Sequence, residues 1–178
     1  LMAMLEKRKA ALSAEGLQGC SQPLRQARVS LGQAGTRNYL GVLTSVNCSG
    51  SVARFIAEEA EKTDWFRALK NVDGIVPIVH GSGCGMSGTD EGYQTLFRTL
   101  QGYARNPNFS GILLVGLGCE VMQIPDLIGT ARLRGDGNFK YMTIQQTGGT
   151  RATIAKAIVG IRPPNQPLPM WYGRLIEV

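Results

Sequence analysis

The stretch GILLVGLGCE at residues 111–120 decides the fold, because an unbroken apolar run ends there at small residues and a cysteine. Apolar runs without polar alternation are typical of strands buried on both faces of a parallel sheet. The same pattern occurs in GVLTSVNC at residues 41–48 and in IVPIVHGSGC at residues 75–84. Ligands of open parallel sheets bind beyond the carboxyl ends of the strands. We therefore expect the three cysteines that close these stretches to meet over one site.

Helical patterns alternate with these strands. Strands are predicted over residues 39–46, 72–79, 111–116 and 139–144, and helices from Ser49 or Ser51 to about residue 62, over 90–105 and over 151–159. This order predicts an α/β fold, a small three-layer sandwich with a mostly parallel, Rossmann-like sheet and right-handed crossovers. Pro77 cannot donate a ladder hydrogen bond, which favours an edge position or an irregular end for its strand.

Two local features follow from the same patterns. The hydroxyl of Ser49 or Ser51 is expected to cap the first helix. The core-facing stripe of that helix is expected to comprise four apolar residues, Val52, Phe55, Ile56 and Ala60. Residues 120–128 are predicted to form a short helix or turn that Pro125 breaks.

The chain divides into three predicted parts. Residues 1–35 have weak periodicity and are interpreted as an N-terminal tether or partial lead-in segment. Residues 36–162 carry the alternating pattern and are predicted to be one α/β domain. Residues 163–178 open with two prolines, show no clear element, and are interpreted as an irregular C-terminal tail.

Composition narrows the classes of partner. The 178 residues carry a net charge of +6 without a dense basic stripe, and aromatic residues make up only 7%, which argues against nucleic-acid binding. No apolar stretch reaches the roughly 18 residues of a membrane span, and the N-terminal residues are too charged for a signal peptide. Four cysteines without disulfide-type spacing favour a reducing cytoplasm. Scattered arginines suit a small acidic substrate.

The loop HGSGCGM at residues 80–86 is the sharpest local signal, because it holds the single histidine of the chain. Closely spaced glycines leave backbone N–H groups free to face an oxyanion, and Ser82 adds a hydroxyl. One interpretation is a catalytic acid or base, or a metal ligand, at His80 beside a reactive or metal-bound Cys84 thiolate. The other is a tight turn with a hydrogen-bonded histidine and an inert cysteine.

The other two cysteine loops leave similar alternatives open. Glu120 beside Cys119 could act as a base or ligand, or could be an ordinary acidic residue in a first helical turn. Asn47 offers hydrogen bonds beside Cys48, which could equally be a small core thiol.

A fourth strand-end loop and one arginine are candidates for binding a substrate anion. The loop contains two hydroxyls, two glycines and a guanidinium at a helix start, a set that suits a carboxylate. Its residues are Thr147, Gly148, Gly149, Thr150 and Arg151. Arg37 precedes the first strand, so it is expected at the opposite edge of the sheet, where it could pair with a carboxylate from another domain or form a surface salt bridge.

These residues are compatible with two kinds of metal site. Thiolates of Cys48, Cys84 and Cys119 could hold an iron–sulfur cluster with one iron left open as a Lewis acid. Alternatively, His80 together with carboxylates from elsewhere could hold a single divalent ion.

The chain resembles the altronate dehydratase and galactarate dehydratase family in four motifs. In order, these are GTRNYLGVLTSVNCSGSVA, VPIVHGSGCGM, RTLQGYARNPNFSGILLVGLGCEVMQI and IQQTGGTRATI. The similarity covers roughly residues 35–158 and corresponds to the middle region of those enzymes. Family members usually have a small domain before this region and a larger one after it. Neither is recognisable here, so the chain resembles a middle domain.

The resemblance implies a hydro-lyase that removes water from a sugar acid such as galactarate or altronate and forms a 2-keto-3-deoxy acid. It also implies a divalent metal, commonly iron. The expected partners are a small acidic sugar, the N-terminal and C-terminal domains of the full enzyme, and a second copy in a homo-oligomer. Such chemistry suits His80 for proton transfer, the three cysteines as metal ligands, and Arg151 with its loop for a substrate carboxylate.

Two other functions stay open at this point. The domain could be a non-catalytic scaffold or interface, with the chemistry in other domains. It could also belong to a related lyase that acts on a different acidic substrate.

Overall fold

A two-stranded antiparallel sheet precedes the main domain in the computed structural model, which describes residues 28–30, 33–131 and 139–162. Its strands are β1 (Arg28–Ser30) and β2 (Gln33–Gly35). Both strands lie within the segment interpreted as a tether or lead-in. The predicted C-terminal tail lies outside the described residues, so the proposed division of the chain stays a prediction.

Four parallel strands form the main sheet, as predicted. They are β3 (Tyr39–Thr44), β4 (Gly74–Ile78), β5 (Phe109–Gly116) and β6 (Phe139–Thr143), in the spatial order β4–β3–β5–β6. Each neighbouring pair is parallel. The predicted edge position of Pro77 is confirmed, because β4 pairs with β3 alone among the described strands.

Helices connect the strands and cover both faces of the sheet. They are α1 (Gly50–Glu61), α2 (Asp64–Arg67), α3 (Glu91–Ala104), α4 (Ile124–Ala131), α5 (Ile144–Thr147) and α6 (Thr150–Ile161). The predicted strands and the three predicted helices of the alternating pattern end within two residues of these bounds. None of the helices in the described ranges has the length and apolarity needed to cross a membrane.

Two hydrophobic clusters, one on each face of the sheet, hold the three layers together. One cluster joins α1 and α6 to one face of the sheet, through residues such as Ile56 and Ala157. The other joins α3 and α4 to the opposite face, through residues such as Leu100 and Leu127. The predicted three-layer α/β sandwich is therefore confirmed.

The unbroken apolar run of β5 follows from its place in the centre of the sheet. Leu113 and Val115 belong to the cluster under α1 and α6, whereas Ile112 and Leu114 belong to the cluster under α3 and α4. Successive side chains of a strand point to opposite faces, so a strand covered on both faces needs apolar residues at every position.

The strand order reverses direction at one place on the carboxyl edge of the sheet. From β3 the chain passes through α1 to β4, and from β5 it passes through α4 to β6, on the opposite face. Because β3 and β5 are neighbours, the loops that leave them diverge. Divergence of this kind marks the usual ligand site of open α/β sheets.

Three local predictions are wrong. Phe55 does not face the core, since 48% of it is exposed, and Ala53 and Ala57 complete the buried stripe instead. Ser49 precedes α1, but its hydroxyl makes no capping hydrogen bond. Pro125 does not break a helix, because α4 begins at Ile124 and proline is tolerated in a first turn, where no intrahelical N–H bond is lost.

Adjacent residues of α1 provide a matched test of this packing. We expect Ile56→Ala to lower the free energy of unfolding by about 2–5 kcal/mol, because the side chain is fully buried. Phe55→Ala removes a larger but half-exposed side chain and should lower the free energy of unfolding by less. Urea denaturation followed by circular dichroism measures both changes, and a larger loss for Phe55→Ala would contradict the assigned face of α1.

Candidate functional site

The loop after β3 presents Cys48 at the carboxyl edge of the sheet. Cys48 lies in a short 3-10 turn, Asn47–Ser49, and is exposed. The buried Ser49 hydroxyl donates to the carbonyl oxygens of Val46, at 2.8 Å, and Val115, at 2.9 Å. Instead of capping α1, Ser49 therefore ties this turn to the end of β5.

The loop after β4 packs directly on the loop after β3. The Asn47 backbone N–H donates to the Ser82 carbonyl oxygen at 2.8 Å. Gly83 has a φ of +95°, and a Cβ there would lie 2.9 Å from both the Ser45 carbonyl oxygen and the Val46 Cα. Only glycine fits such a backbone approach without strain. This contact places the exposed Cys84 beside the Cys48 turn.

His80 joins the same two loops through both ring nitrogens. Nδ1 lies 3.3 Å from the Ser82 N–H that donates to it and 3.1 Å from the Ser82 hydroxyl, while Nε2 lies 3.0 Å from the Thr44 carbonyl oxygen. The backbone donor makes Nδ1 an acceptor, so these partners assign the proton of a neutral ring to Nε2. The Nε2–H bond to Thr44 orients the ring and leaves the Nδ1 lone pair toward Ser82.

The loop after β5 is fastened by Glu120, which is only 6% exposed. Its Oε1 accepts from the Ser45 hydroxyl at 2.6 Å and from the Leu117 N–H at 3.2 Å. Its Oε2 accepts from the Gly118 N–H at 2.5 Å. The carboxylate thus lies beneath the loop, whereas the adjacent Cys119 is exposed. The role of base or ligand predicted for Glu120 stays a prediction.

The loop after β6 contacts the loop after β5 through Gln145. The Gln145 N–H donates to the Leu117 carbonyl oxygen at 3.0 Å, and the Gln145 Nε2 donates to the Cys119 sulfur at 3.4 Å. Hydrogen bonds therefore connect all four strand-end loops in the order of the strands.

The three predicted thiols lie on neighbouring loops at this edge, and all three are exposed. Desolvation raises the pKa of the Cys48 thiol, and its electrostatic interactions with Cys84 and then Cys119 raise it further. That the three thiols serve one common site stays a prediction.

The donor set bears on the kind of metal that could bind. In the part of the chain that the structure describes, no three His, Cys, Asp or Glu side chains are grouped as ligands of a single ion. An iron–sulfur cluster takes its thiolates at separate irons, so its ligands stand further apart than those of one ion. Three free thiols on neighbouring loops supply the type of donor that a cluster uses, and the identity of any bound metal stays a prediction.

The predicted anion-binding loop lies between α5 and α6. Gly148 and Gly149 have φ angles of +98° and +100°, and Gly149 caps α6 without any side-chain hydrogen bond. The first N–H groups of a helix have no intrahelical acceptor, so this turn leaves donors available beside Thr150 and Arg151. Arg151 itself is exposed.

Arg37 lies away from these loops. It precedes β3, at the amino edge of the sheet, and its backbone N–H donates to the Asn108 Oδ1 at 3.0 Å. Within this chain, Arg37 does not join the thiol site, and pairing with a carboxylate of another domain stays a prediction.

Sequence reasoning missed two residues of this arrangement. Ser45 is fully buried and bonds Glu120, and Gln145 contacts Cys119. Both lie at the end of a predicted strand, where a polar residue among apolar neighbours is a signal in its own right. Their partners could not be read from the sequence, since those lie 75 and 26 residues away.

Comparison with known proteins adds an independent finding. Residues 27–164 match the model of the second domain of D-galactarate dehydratase/altronate hydrolase. The altronate dehydratase of Escherichia coli (strain K12) is 32% identical over 107 residues, which cover 60% of this chain and 21% of that protein. The altronate dehydratase of Bacillus subtilis (strain 168) is 31% identical over 94 residues, 50% of this chain and 17% of that protein.

A third relative carries the other name of the family. Galactarate dehydratase (L-threo-forming) of Escherichia coli (strain K12) is 38% identical over 93 residues, 52% of this chain and 18% of that protein. The chain thus spans about a fifth of the length of these curated relatives. No solved structure gives a significant match.

Thiol titration tests the convergence of the three loops. We expect Cys84→Ala to lower the pKa of Cys48 toward its ordinary value, because the larger of the two neighbouring thiolate charges is removed. Cys119→Ala should lower it less, because its charge has the smaller effect. The pH dependence of Cys48 alkylation by iodoacetamide, read by mass spectrometry in a Cys20→Ala background, measures the change. An unaltered midpoint in both variants would mean that the thiols are apart.

Proposed function

We propose, since the chain belongs to the D-galactarate dehydratase/altronate hydrolase family as its second domain, that it supplies part of the active site of a sugar-acid hydro-lyase. The observation that carries this proposal is that Cys48, Cys84, Cys119 and His80 follow three neighbouring parallel strands at the carboxyl edge of the sheet. The substrate is a small acidic sugar of the galactarate or altronate type. We place the enzyme in the reducing cytoplasm, where exposed free thiols persist.

The reaction requires a base and help for a poor leaving group. The base removes the proton on the carbon next to a carboxylate, and the hydroxyl on the following carbon departs with a proton as water. The resulting enol takes up a proton at that following carbon and loses its hydroxyl proton, which gives a 2-keto-3-deoxy acid. Stabilising the carboxylate charge and assisting the hydroxyl are therefore the two electrostatic demands on the site.

His80 is our candidate for the proton transfer. Its Nδ1 lone pair faces the Ser82 hydroxyl at 3.1 Å and the Ser82 N–H at 3.3 Å, so His80 takes up a substrate proton once a bound substrate displaces both contacts. The Nε2–H bond to the Thr44 carbonyl then holds the ring in place and stabilises the imidazolium that forms. Ser82 and the nearby Asn47 can donate to substrate hydroxyls from the same two loops.

The turn at the start of α6 is our candidate for a substrate carboxylate. Its backbone donors lack a side-chain cap, and the helix dipole favours a negative group there. Thr147, Thr150 and Arg151 add two hydroxyls and a guanidinium, which together match a carboxylate better than a neutral group. The Gln145 contact with Cys119 links this turn to the thiols.

Iron is the cofactor that we propose for the three thiols, as an iron–sulfur cluster. Cys48, Cys84 and Cys119 would hold it, and an iron without a protein ligand would supply a Lewis acid for the departing hydroxyl. The other domains of the protein, and a second copy in a homo-oligomer, would supply the remaining groups of the site.

Loss of the histidine tests the catalytic assignment. In the protein that carries this chain, we expect His80→Gln to lower kcat by at least about a hundredfold, as loss of a general base does. Glutamine keeps one donor and one acceptor but takes up no proton at neutral pH. Formation of the 2-keto acid from galactarate, altronate and other hydroxy acids is the measurement.

The matched control for this variant lies in the same loop. Ser87→Ala removes an exposed hydroxyl and should leave kcat within a factor of about two, as surface changes do. Near-normal turnover in His80→Gln would move the chemistry to another domain. Turnover restricted to a different class of acidic substrate would replace the sugar acid in the proposal.

Metal analysis tests the cofactor separately. Protein purified without oxygen should contain iron and acid-labile sulfide, with broad visible absorption from thiolate-to-iron charge transfer. Cys48→Ala, Cys84→Ala and Cys119→Ala should each lower the iron content, whereas Cys20→Ala should not. Absence of both iron and sulfide from the wild-type protein would exclude the cluster.

A further inference from the structure

Glu120 differs from the other charged groups at the carboxyl edge because its carboxylate is buried while its neighbour Cys119 is exposed. We infer that Glu120 is a positioning residue, whose carboxylate fixes the loop after β5 so that the Cys119 thiol faces Cys48 and Cys84. This inference concerns how the thiols are brought together. It does not depend on whether they hold iron or on which reaction they serve.

The first argument is the number of donors that the carboxylate accepts. The Ser45 hydroxyl and the Leu117 N–H approach Oε1, and the Gly118 N–H approaches Oε2. All three groups are donors, and buried N–H groups need an acceptor. A carboxylate is the side-chain group that offers acceptors on both oxygens and no hydrogen. An amide in its place would turn an NH₂ group toward one of these donors.

The second argument is the space that two glycines leave. A Cβ on Gly116 would lie 2.2 Å from the Glu120 Oε1 and 3.0 Å from the Ser45 Oγ. Gly118 has a φ of +122°, and a Cβ there would lie 2.7 Å from the Gln145 Oε1. Gly116 therefore allows the side chains of Glu120 and Ser45 to approach the loop closely, and Gly118 allows the side chain of Gln145 to do so beside Cys119.

The third argument is the direct contact of Cys119 with the next loop. The Gln145 Nε2 donates to the Cys119 sulfur, and the Gln145 N–H donates to the Leu117 carbonyl oxygen. Glu120 thus contacts Leu117 and Gly118, and Gln145 contacts Leu117 and Cys119. A loop fixed at both places presents its thiol in one direction.

Thiol bridging tests the inference in the chain itself. Cys20→Ser leaves only the three site cysteines, and dibromobimane, which fluoresces when it bridges two thiols, reports their proximity. In Glu120→Gln we expect bridges to Cys119 to form about tenfold more slowly, the usual effect of losing a buried hydrogen bond to a charged group. The bridge between Cys48 and Cys84 should form at the parent rate, since their contact runs through Asn47 and Ser82.

Two further variants keep this test decisive. Gln145→Leu removes the contact with Cys119 from an exposed position and should slow the same bridges a few-fold without unfolding the domain. Glu58→Gln removes an exposed carboxylate on α1 and should change no bridge.

Two outcomes would overturn the inference. In the first, Glu120→Gln bridges Cys119 at the parent rate. In the second, all three bridges slow together in both Glu120→Gln and Gln145→Leu, which would indicate a general effect on folding. Neither outcome depends on turnover, so a failed dehydratase assay and a failed positioning test remain distinguishable.

Discussion

Parallel pairing of the four strands is the constraint on which the rest of the structure depends. Parallel strands end at the same edge, so the loops after β3, β4, β5 and β6 must share a narrow space. Hydrogen bonds between Asn47 and Ser82, between Ser45 and Glu120, and between Leu117 and Gln145 fill that space. Gly83, Gly116 and Gly118 are needed in these loops because a Cβ at each would lie less than 3.0 Å from a neighbouring atom.

The fold was predictable because its signals are local. An apolar run of four residues in β5 indicates burial on both faces, and Pro77 indicates an edge strand. Phe55, Ser49 and Pro125 were misjudged for a common reason: each takes its role from what packs nearby. The apolar stripe of a helix does not show which of its residues the core will cover. A serine in the sequence does not show whether its hydroxyl will cap a helix or bond a neighbouring strand.

The site was predictable in part. The three cysteines could be placed at one edge because strand ends coincide in a parallel sheet. Glu120 could be named as a candidate base or ligand but could not be predicted to be buried, since its partner Ser45 lies at another strand end. Its carboxylate accepts hydrogen bonds from the loop that carries Cys119, whereas the ring nitrogens of His80 contact Ser82 and Thr44. Which of these groups takes part in chemistry stays a prediction.

A crystal structure of the protein, with sulfur positions located by anomalous scattering, tests the convergence of the loops most directly. We predict that the Cys48, Cys84 and Cys119 sulfurs lie on one side of the carboxyl edge, within reach of a single bound group. We also predict that the carboxylate of Glu120 accepts hydrogen bonds from Ser45 and from the backbone of its own loop. A structure in which any of these loops turns its cysteine away, with the Asn47–Ser82 or Ser45–Glu120 bond absent, would contradict these predictions.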